Sequence, residues 1–279
     1  MYNIKLKASG LIAATFVAGL PLQKVYSQYH NDQKNKRPNI LFAISDDQSY
    51  PYTSAYGAKG LRTPAFDLVA KTGIIFNNAF VAAPQSSPSR AAILTGRYIW
   101  QLEEAGTHSS YFPKKFTVFT DLLAQSGYMV GYTAKAWGPG NFQDAGWDQN
   151  PVGKAYNSKT LKAVPSKGIN KNDYSGNFID FYSQKPEDQP FFFWYGATEP
   201  HRTYEEGSGL KSGKKLSDAL VPTFLPADSV VMSDILDYYF EIEYFDSHLM
   251  KIIEFLKEKG ELENTIIVVT GDNGMSFPA

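Results

Sequence analysis

The sequence lacks cysteine altogether, and its charges nearly cancel. With no cysteine among 279 residues, a disulfide scaffold, a zinc-thiolate site and a cysteine nucleophile are all excluded. The 27 Lys and Arg residues against 28 Asp and Glu residues give a net charge of −1, so the chain has no overall charge with which to bind nucleic acid. Any anion must therefore be bound by a local arrangement of groups.

Long hydrophobic runs are also absent, apart from one short segment near the N-terminus. Lys5 and Lys7 precede the apolar run at 8–20, and small residues around Val25 follow at the spacing of a cleavage site. This pattern predicts a secretory signal peptide at residues 1–27. The run is too short for a comfortable membrane span, so no membrane attachment is expected once the leader is cleaved. An exported, cysteine-free chain is typical of the bacterial periplasm or of bacterial secretion.

A polar linker is predicted at residues 28–37, followed by one domain at residues 38–279. In that domain, apolar runs typical of buried strands alternate with segments of helical spacing. Strands are predicted at 39–45, 74–81, 128–133, 190–195 and 265–270, and helices at 64–71, 116–125, 174–183 and 233–259. The alternation predicts an α/β fold, a mostly parallel sheet with helices on both faces, whose ligands bind at the carboxyl ends of the strands. The Gly-, Ser- and Lys-rich stretch at 205–215 is interpreted as a mobile loop.

Acidic residues follow the first and the last predicted strands. Asp46 and Asp47 come after the first strand, and Asp272 and Asn273 after the last. For Asp46 and Asp47 alone, an ordinary strand-end turn is the alternative interpretation. Joined across the sheet to Asp272 and Asn273, they form a set of hard oxygen ligands that suits Ca²⁺ better than a softer metal.

A serine stands just before a helix that starts with proline, in the string Ser86-Ser87-Pro88-Ser89-Arg90. The free N–H groups of that first turn suit an anion, and Arg90 lies about one turn inside, where it can lean back toward Ser86. For this short string alone, a simple serine N-cap is the alternative interpretation. The string continues through Leu94-Thr95-Gly96-Arg97, and at this length it is far more specific.

The string at 86–97 resembles the signature of the type I sulfatases, Cys/Ser-x-Pro-x-Arg followed by Leu-Thr-Gly-Arg. Other segments match the remaining motifs of that family in order, namely 38–47, Lys135, Pro200-His201 and 272–274. The resemblance extends from Pro38 to the last residue. It implies the alkaline-phosphatase/sulfatase-like fold and the hydrolysis of a sulfuric ester or sulfamate on a sulfated saccharide.

The resemblance also implies a role for each matching residue. Ser86 would be oxidised to formylglycine by a serine-type sulfatase-maturating radical enzyme. The hydrated aldehyde has two hydroxyls, one to attack sulfur and one to expel sulfate later. An unmodified serine would instead form a sulfate ester, with no second hydroxyl to expel the sulfate. Arg90 would hold the formylglycine, Lys135 would bind both formylglycine and sulfate, and His201 would contact sulfate and protonate the leaving group. The Ca²⁺ ligands would be Asp46, Asp47, the formylglycine at Ser86, Asp272 and Asn273.

The chain departs from the family pattern two residues after Lys135, where most sulfatases have a histidine and this sequence has Trp137. The base usually assigned to sulfate expulsion is therefore missing, and Trp137 is expected to shape the sugar pocket instead. His108, in the loop after the signature helix, is interpreted as a surface histidine, with a substrate contact or replacement base as the alternative. His30 and His248 are expected to be structural or solvated.

Within the family, the segments at 190–202, 220–226 and 272–278 are similar to the heparan N-sulfatase branch, which implies heparan- or heparin-derived saccharides as substrates. The choice between N-sulfate and O-sulfate stays open. The alternative enzymatic activity is that of a phosphomonoester or phosphonate hydrolase of the same superfold.

A further alternative follows from the last residue, Ala279, which comes directly after a motif. The family has a basic sulfate-binding residue beyond this point and then a smaller C-terminal domain. The resemblance therefore implies either a fragment of an active enzyme or an inactive sulfatase-like protein that at most binds sulfated glycans.

Overall fold

Five parallel strands form the central sheet of the computed structural model, which describes residues 36–275. The strands are β1 (Asn39–Ser45), β2 (Met129–Ala134), β3 (Lys154–Ala155), β4 (Phe191–Gly196) and β5 (Thr265–Gly271). Their order across the sheet is β3-β2-β4-β1-β5, and every pairing is parallel. The predicted parallel α/β architecture is confirmed.

Helices and short 3₁₀ turns connect the strands. The α-helices are α1 (Pro64–Thr72), α2 (Ser86–Thr95), α3 (Phe119–Gln125), α4 (Tyr174–Ser183), α5 (Ser208–Lys211) and α6 (Ser229–Glu258). The 3₁₀ turns are Ser54–Tyr56, Ile99–Gln101, Glu103–Gly106, Leu216–Asp218 and Leu262–Asn264. Helix α6 begins four residues before the predicted start at 233 because the Asp228 carboxylate accepts hydrogen bonds from the amides of Val230 and Val231.

The two faces of the sheet are covered by different helices. Every residue of β4 is buried, and successive side chains of a strand point to opposite faces. Phe193 and Tyr195 pack with residues of α4 and α6, while Phe192 and Trp194 pack with residues of α2 and the segment leading into α3. The unbroken apolar run of β4 is thus explained by burial on both sides, as expected for a parallel sheet.

The carboxyl ends of four strands meet at one edge of the sheet. Ser45 pairs with Gly271 at the ends of β1 and β5, and Ala134 pairs with Gly196 at the ends of β2 and β4. The residues that follow these strands therefore lie close together, although they are far apart in the sequence.

The prediction of a strand at 74–81 is wrong, because the structure describes no strand between Ile74 and Val81. Ile74, Phe76 and Phe80 are instead 79%, 69% and 91% exposed. Composition favours an extended chain here, but an extended segment becomes a strand only if a neighbouring strand pairs with it.

The loop interpretation of 205–215 is also partly wrong, since helix α5 lies within it. Its start is fixed by Asp237 of α6, whose carboxylate accepts hydrogen bonds from the amides of Gly207 and Gly209. This support comes from a distant part of the chain, so local composition could not reveal it.

Several predictions fall on residues outside the described range of 36–275. These are the leader at 1–27, nearly all of the linker at 28–37, His30 and the end of the last motif. Within the described range, no helix combines the length and the apolarity needed to cross a membrane.

Candidate active site

The site is built around Asp46 and Asp47, which directly follow β1. Asp47 has a left-handed backbone with φ 62°, a conformation that Asp adopts more readily than most residues. Two long-range contacts hold it: its amide donates to Asp272 Oδ1 at 2.9 Å, and the Tyr238 hydroxyl donates to its carbonyl at 3.0 Å. The turn therefore aims both carboxylates toward the end of β5.

Asp272 and Asn273 follow β5 and complete an oxygen cluster. Asp46, Asp47 and Asp272 are all buried, and each offers a ligand atom within 4.8 Å of the others. The Asn273 amide nitrogen donates to Asp47 Oδ1 at 2.7 Å, which orients its own Oδ1 toward Ser86. A set of carboxylate and amide oxygens fits Ca²⁺.

Ser86, the first residue of α2, lies at the centre of this cluster and is 4% exposed. Its Oγ is 3.0 Å from Asp46 Oδ1, 2.7 Å from Asp272 Oδ2 and 3.1 Å from Asn273 Oδ1. One hydroxyl has a single proton and can satisfy only one of these three acceptors. The converging oxygens belong to carboxylates, an amide and a hydroxyl, which are the hard donors that Ca²⁺ takes, so the residues present fit a bound Ca²⁺.

Arg90 and Lys135 bring positive charge to the same place. Arg90 is fully buried, with Nε donating to Asp272 Oδ2 at 2.9 Å and Nη1 donating to the carbonyls of Lys135 and Ala136. Its Nη2 lies 3.6 Å from Asp46 Oδ1 and has no hydrogen-bond partner among the described residues. Lys135 Nζ, just after β2, lies 2.5 Å from Asp46 Oδ2 and 2.9 Å from Ser86 Oγ.

The pKa values of two carboxyl groups of the site are shifted in opposite directions. Burial raises the pKa of Asp46 to about 6, although Arg90 and Lys135 act to lower it. Burial also acts to raise the pKa of Asp272, but Arg90 and the hydrogen bonds of this carboxylate bring it down to about 2. When ionised, the three carboxylates outweigh the two cations by one negative charge. A divalent cation would reverse that sign and make the site attractive to a sulfate monoester anion.

A cavity of about 560 Å³ opens beside the cluster, and His201 is the only histidine among the described residues that line it. His201 Nδ1 lies 2.5 Å from the Arg202 carbonyl, which can only accept, so Nδ1 carries a proton. Nε2 lies 3.7 Å from Asp47 Oδ2 and is the ring atom left to exchange a proton.

Trp137, which is expected to shape the sugar pocket, forms part of the cavity wall. The indole is buried, and its Nε1 donates to the Ser87 carbonyl at 3.1 Å. Asn150 holds the Trp137 backbone from both sides, accepting from the amide and donating to the carbonyl. An indole N–H only donates hydrogen bonds, so Trp137 cannot act as a base.

The remaining described histidines lie apart from the oxygen cluster. His108 is exposed, does not line the cavity, and approaches Ser87 Oγ at 3.5 Å rather than Ser86. His248 is buried under the sheet beside Ser175, and burial lowers its pKa to about 4. The expected structural role of His248 agrees with this environment.

Glu199 supports the site and was not predicted. Its carbonyl accepts from the Asp46 amide at 3.0 Å, while its buried carboxylate accepts from the Asn170 amide at 2.8 Å and the Tyr174 hydroxyl at 2.6 Å. The available signal was an acidic residue four positions after a predicted buried strand, where an unpaired charge would be costly.

The family model described as Sulfatase matches residues 38–278. The match covers the parallel sheet and every residue of the oxygen cluster, from Asp46 to Asn273. The chain belongs to the sulfatase family.

Curated relatives are sulfatases with different substrates in their names. The human N-sulphoglucosamine sulphohydrolase is 26% identical over 275 residues, which cover 86% of this chain and 51% of that protein. The N-acetylglucosamine-6-O-sulfatase of Bacteroides thetaiotaomicron is 30% identical over 182 residues, covering 62% of this chain and 32% of that protein. This chain therefore spans about half the length of the first of these relatives and about a third of the second.

Solved structures share the fold. A protein in complex with its substrate D-glucosamine-2-N,6-O-disulfate superposes with a TM-score of 0.65 at 20% identity, covering 86% of this chain and 66% of that chain. The phosphonate monoester hydrolase of Agrobacterium radiobacter superposes with a TM-score of 0.55 at 17% identity, covering 85% and 62%. The predicted alkaline-phosphatase/sulfatase-like fold is confirmed.

Proposed function

We propose that this chain is the catalytic part of an exported bacterial sulfatase that removes sulfate, as ester or sulfamate, from a sulfated saccharide. The observation that carries the proposal is the position of Ser86, whose Oγ meets three acceptor oxygens and the Lys135 ammonium within 3.1 Å. Membership of the sulfatase family supports it. The catalytic domain is taken as residues 38–279, after the leader and linker.

Two groups that the family implies would complete the site. Ca²⁺ would be held by Asp46, Asp47, Asp272, Asn273 and the modified residue 86, and would supply positive charge to the sulfate oxygens. Formylglycine made from Ser86 by a serine-type sulfatase-maturating enzyme would supply the hydroxyl nucleophile.

The chain's own residues provide binding, orientation and proton transfer. Lys135 Nζ, 2.9 Å from Ser86 Oγ, is placed to donate to both the nucleophile and a sulfate oxygen. Arg90 fixes Asp272 and the backbone after β2, so it positions Lys135 as well as residue 86. His201 Nε2 faces the cavity and is proposed to protonate the leaving oxygen or nitrogen. Trp137 forms part of the wall against which the sugar would pack.

Sulfate release from a substrate panel tests the proposal. The chain, produced together with a serine-type maturase, is incubated with N-sulfated and 6-O-sulfated glucosamine saccharides and, as the alternative class, with phosphate and phosphonate monoesters. We expect sulfate release that Ser86→Ala abolishes, with Asp148→Asn as a control at an acidic side chain that is 99% exposed. Faster hydrolysis of the phosphorus esters, or no release from any sulfated saccharide, would contradict the proposed activity.

A further inference from the structure

Ala134, which directly precedes Lys135, has a left-handed backbone with φ 58°. Such a φ is unfavourable for an L-residue with a Cβ, and alanine has no polar side chain that could offset the cost with a local hydrogen bond. The residue is the last of β2, where the chain leaves the sheet and Lys135 reaches Ser86. The contacts that hold this unfavourable backbone therefore also fix the direction of Lys135.

Hydrogen bonds fix the backbone on the C-terminal side of Ala134. The Lys135 amide donates to the Gly196 carbonyl at 2.8 Å. The Lys135 carbonyl accepts from Arg90 Nη1 at 2.8 Å and from Trp194 Nε1 at 3.0 Å. The peptide groups of Lys135 are thus held against the end of β4.

The side chain of Asn157 fixes the backbone on the N-terminal side of Ala134. Its Oδ1 accepts from the Ala134 amide at 2.8 Å and from Thr133 Oγ1 at 3.1 Å. Because β3, the neighbour of β2, ends at Ala155, the Asn157 side chain serves as the acceptor that a longer strand would supply. A backbone N–H only donates, so the atom that faces it is Oδ1 rather than Nδ2. Rotation about the N–Cα bond of Ala134 therefore requires one of the two sets of hydrogen bonds to break.

Asn157 is exposed, but its side chain is held by asparagines that lead back to α4. Asn172 Nδ2 donates to Asn157 Oδ1 at 3.1 Å, and Asn172 Oδ1 accepts from Asn177 Nδ2 at 2.6 Å. Asn177, fully buried in α4, also accepts from the Lys159 amide at 2.9 Å and donates to the Lys159 carbonyl at 3.0 Å. The Asn157 oxygen is thus oriented from α4, and not only by the strand that it contacts.

We propose that Asn157 is a positioning residue for Lys135, which it directs by holding Ala134 in the left-handed conformation. In this conformation Lys135 Nζ lies 2.9 Å from Ser86 Oγ and 2.5 Å from Asp46 Oδ2. The inference rests on the proposed function, which has Lys135 donate to the nucleophile and to a sulfate oxygen. Without the Asn157 acceptor, Ala134 relaxes toward an extended backbone and the Lys135 ammonium turns away from both oxygens.

Acetylation of lysine amines, followed residue by residue with mass spectrometry, reports the position of Lys135 without turnover. In wild-type chain made without a maturase, Lys135 should react slowly, because its side chain is 16% exposed and ion-paired. We expect Asn157→Ala to raise the labelling rate of Lys135 about 5-fold to 30-fold. Asn157→Asp keeps an acceptor oxygen and should stay within about 3-fold of the wild-type rate. Lys214, whose side chain is 8% exposed, is the internal reference, because general unfolding would speed its labelling as well.

A second substitution separates positioning from general support of the fold. Glycine adopts a positive φ at no steric cost, so adding Ala134→Gly to Asn157→Ala should restore slow labelling of Lys135. Loss of the other contacts of Asn157 would not be relieved in this way. In matured chain, kcat/KM for sulfate release should fall about 5-fold to 30-fold in Asn157→Ala and recover most of this loss in the double variant. Asn77→Ala, at an exposed asparagine, is the matched control and should behave like the wild-type chain.

The outcomes distinguish the positioning role from the proposed function. Unchanged labelling of Lys135 in Asn157→Ala, an equal rise at Lys214, or no recovery in the double variant would overturn the inference, even where the wild-type chain releases sulfate. The expected labelling pattern in a chain that releases no sulfate would instead contradict the proposed function and uphold the positioning of Lys135.

Discussion

At the scale of single residues, Glu241 is a buried acidic residue whose ionisation is unfavourable in the folded protein. It is 1% exposed, and neither carboxyl oxygen has a hydrogen-bond partner among the described residues. Burial, with the neighbouring charges of Glu199 and Asp237, raises its pKa to about 9. The folded protein therefore keeps this group neutral at pH values where the unfolded chain ionises it.

Stability should consequently fall as the pH rises from about 4.5 to about 9, because in this range the folded state binds a proton that the unfolded state has released. Glu241→Gln removes this penalty and is expected to raise the free energy of unfolding at pH 8 by about 1 to 3 kcal/mol, with little change at pH 4.5. Urea unfolding at both pH values measures the difference. Glu254→Gln, exposed on the same helix, is the control, and an equal effect of both variants at pH 8 would contradict the burial argument.

The residue types alone predicted the members of the oxygen cluster, but not the residues from α6 and from the loop after β4 that contact the site. Asp46 and Asp272 could be joined in advance because each follows a predicted strand, and parallel strands end at one edge. Glu199, Tyr238 and Arg202 reach the site through contacts that depend on the final packing of α6 and the loop after β4. The local sequence could at most flag Glu199 as an acidic residue after a buried strand; it could not identify the partners that these three residues contact.

At the scale of elements, the ends of β2 and β4 pack so closely that only glycine fits at position 196. A Cβ there would lie 1.9 Å from the Lys135 carbonyl oxygen, a backbone atom, and 2.8 Å from Trp194 Nε1. The Lys135 amide also donates to the Gly196 carbonyl at 2.8 Å. The close approach of these two strands thus sets the position of Lys135.

Gly196→Ala should therefore push the Lys135 backbone away from the site. We expect a loss of at least about 2 kcal/mol in the free energy of unfolding and a large loss of sulfate release in the matured chain. Gly213→Ala is the control, because its Cβ would meet nothing within 4 Å and only the positive φ of 93° is strained. That variant should cost about 1 to 2 kcal/mol and retain activity. Normal activity in Gly196→Ala would contradict the proposed coupling between strand packing and the site.

The elements that were predicted correctly share one property: tertiary packing agrees with the local pattern. The apolar runs of β1 and β4 and the helical spacing of α6 face a core on the expected side. In β5, only the side of Ile267 and Val269 packs against the core, while Ile266 and Val268 are exposed. The run at 74–81 has the same strand-like composition, yet no strand among the described residues pairs with it, and its apolar side chains lie exposed. Pairing is a property of the neighbours, which a single segment cannot reveal.

At the scale of the whole molecule, the oxygen cluster joins β1 to β5 and to α2, so its charge balance should affect global stability. Ca²⁺ that binds only the folded chain should raise the free energy of unfolding by about 2.7 kcal/mol at 100 times its dissociation constant. Differential scanning calorimetry should accordingly report a higher melting temperature in Ca²⁺ than in a chelator.

Two variants make the Ca²⁺ prediction specific to the cluster. Asp272→Asn removes a buried carboxylate and should abolish the Ca²⁺-dependent rise, whereas Asp148→Asn, at an exposed side chain, should keep it. A melting temperature that does not respond to Ca²⁺ in the wild-type chain, or that responds equally in both variants, would contradict a metal site at this edge of the sheet.

Mass spectrometry of the peptide containing Ser86 is the decisive experiment, because the proposed chemistry requires this residue to become formylglycine. The chain is produced with and without a serine-type sulfatase-maturating enzyme whose activity on a reference peptide has been verified. We expect the loss of two hydrogens at Ser86 only when the maturase is present, and sulfate release only in that sample. An unmodified Ser86 in the presence of the active maturase would rule out the formylglycine mechanism.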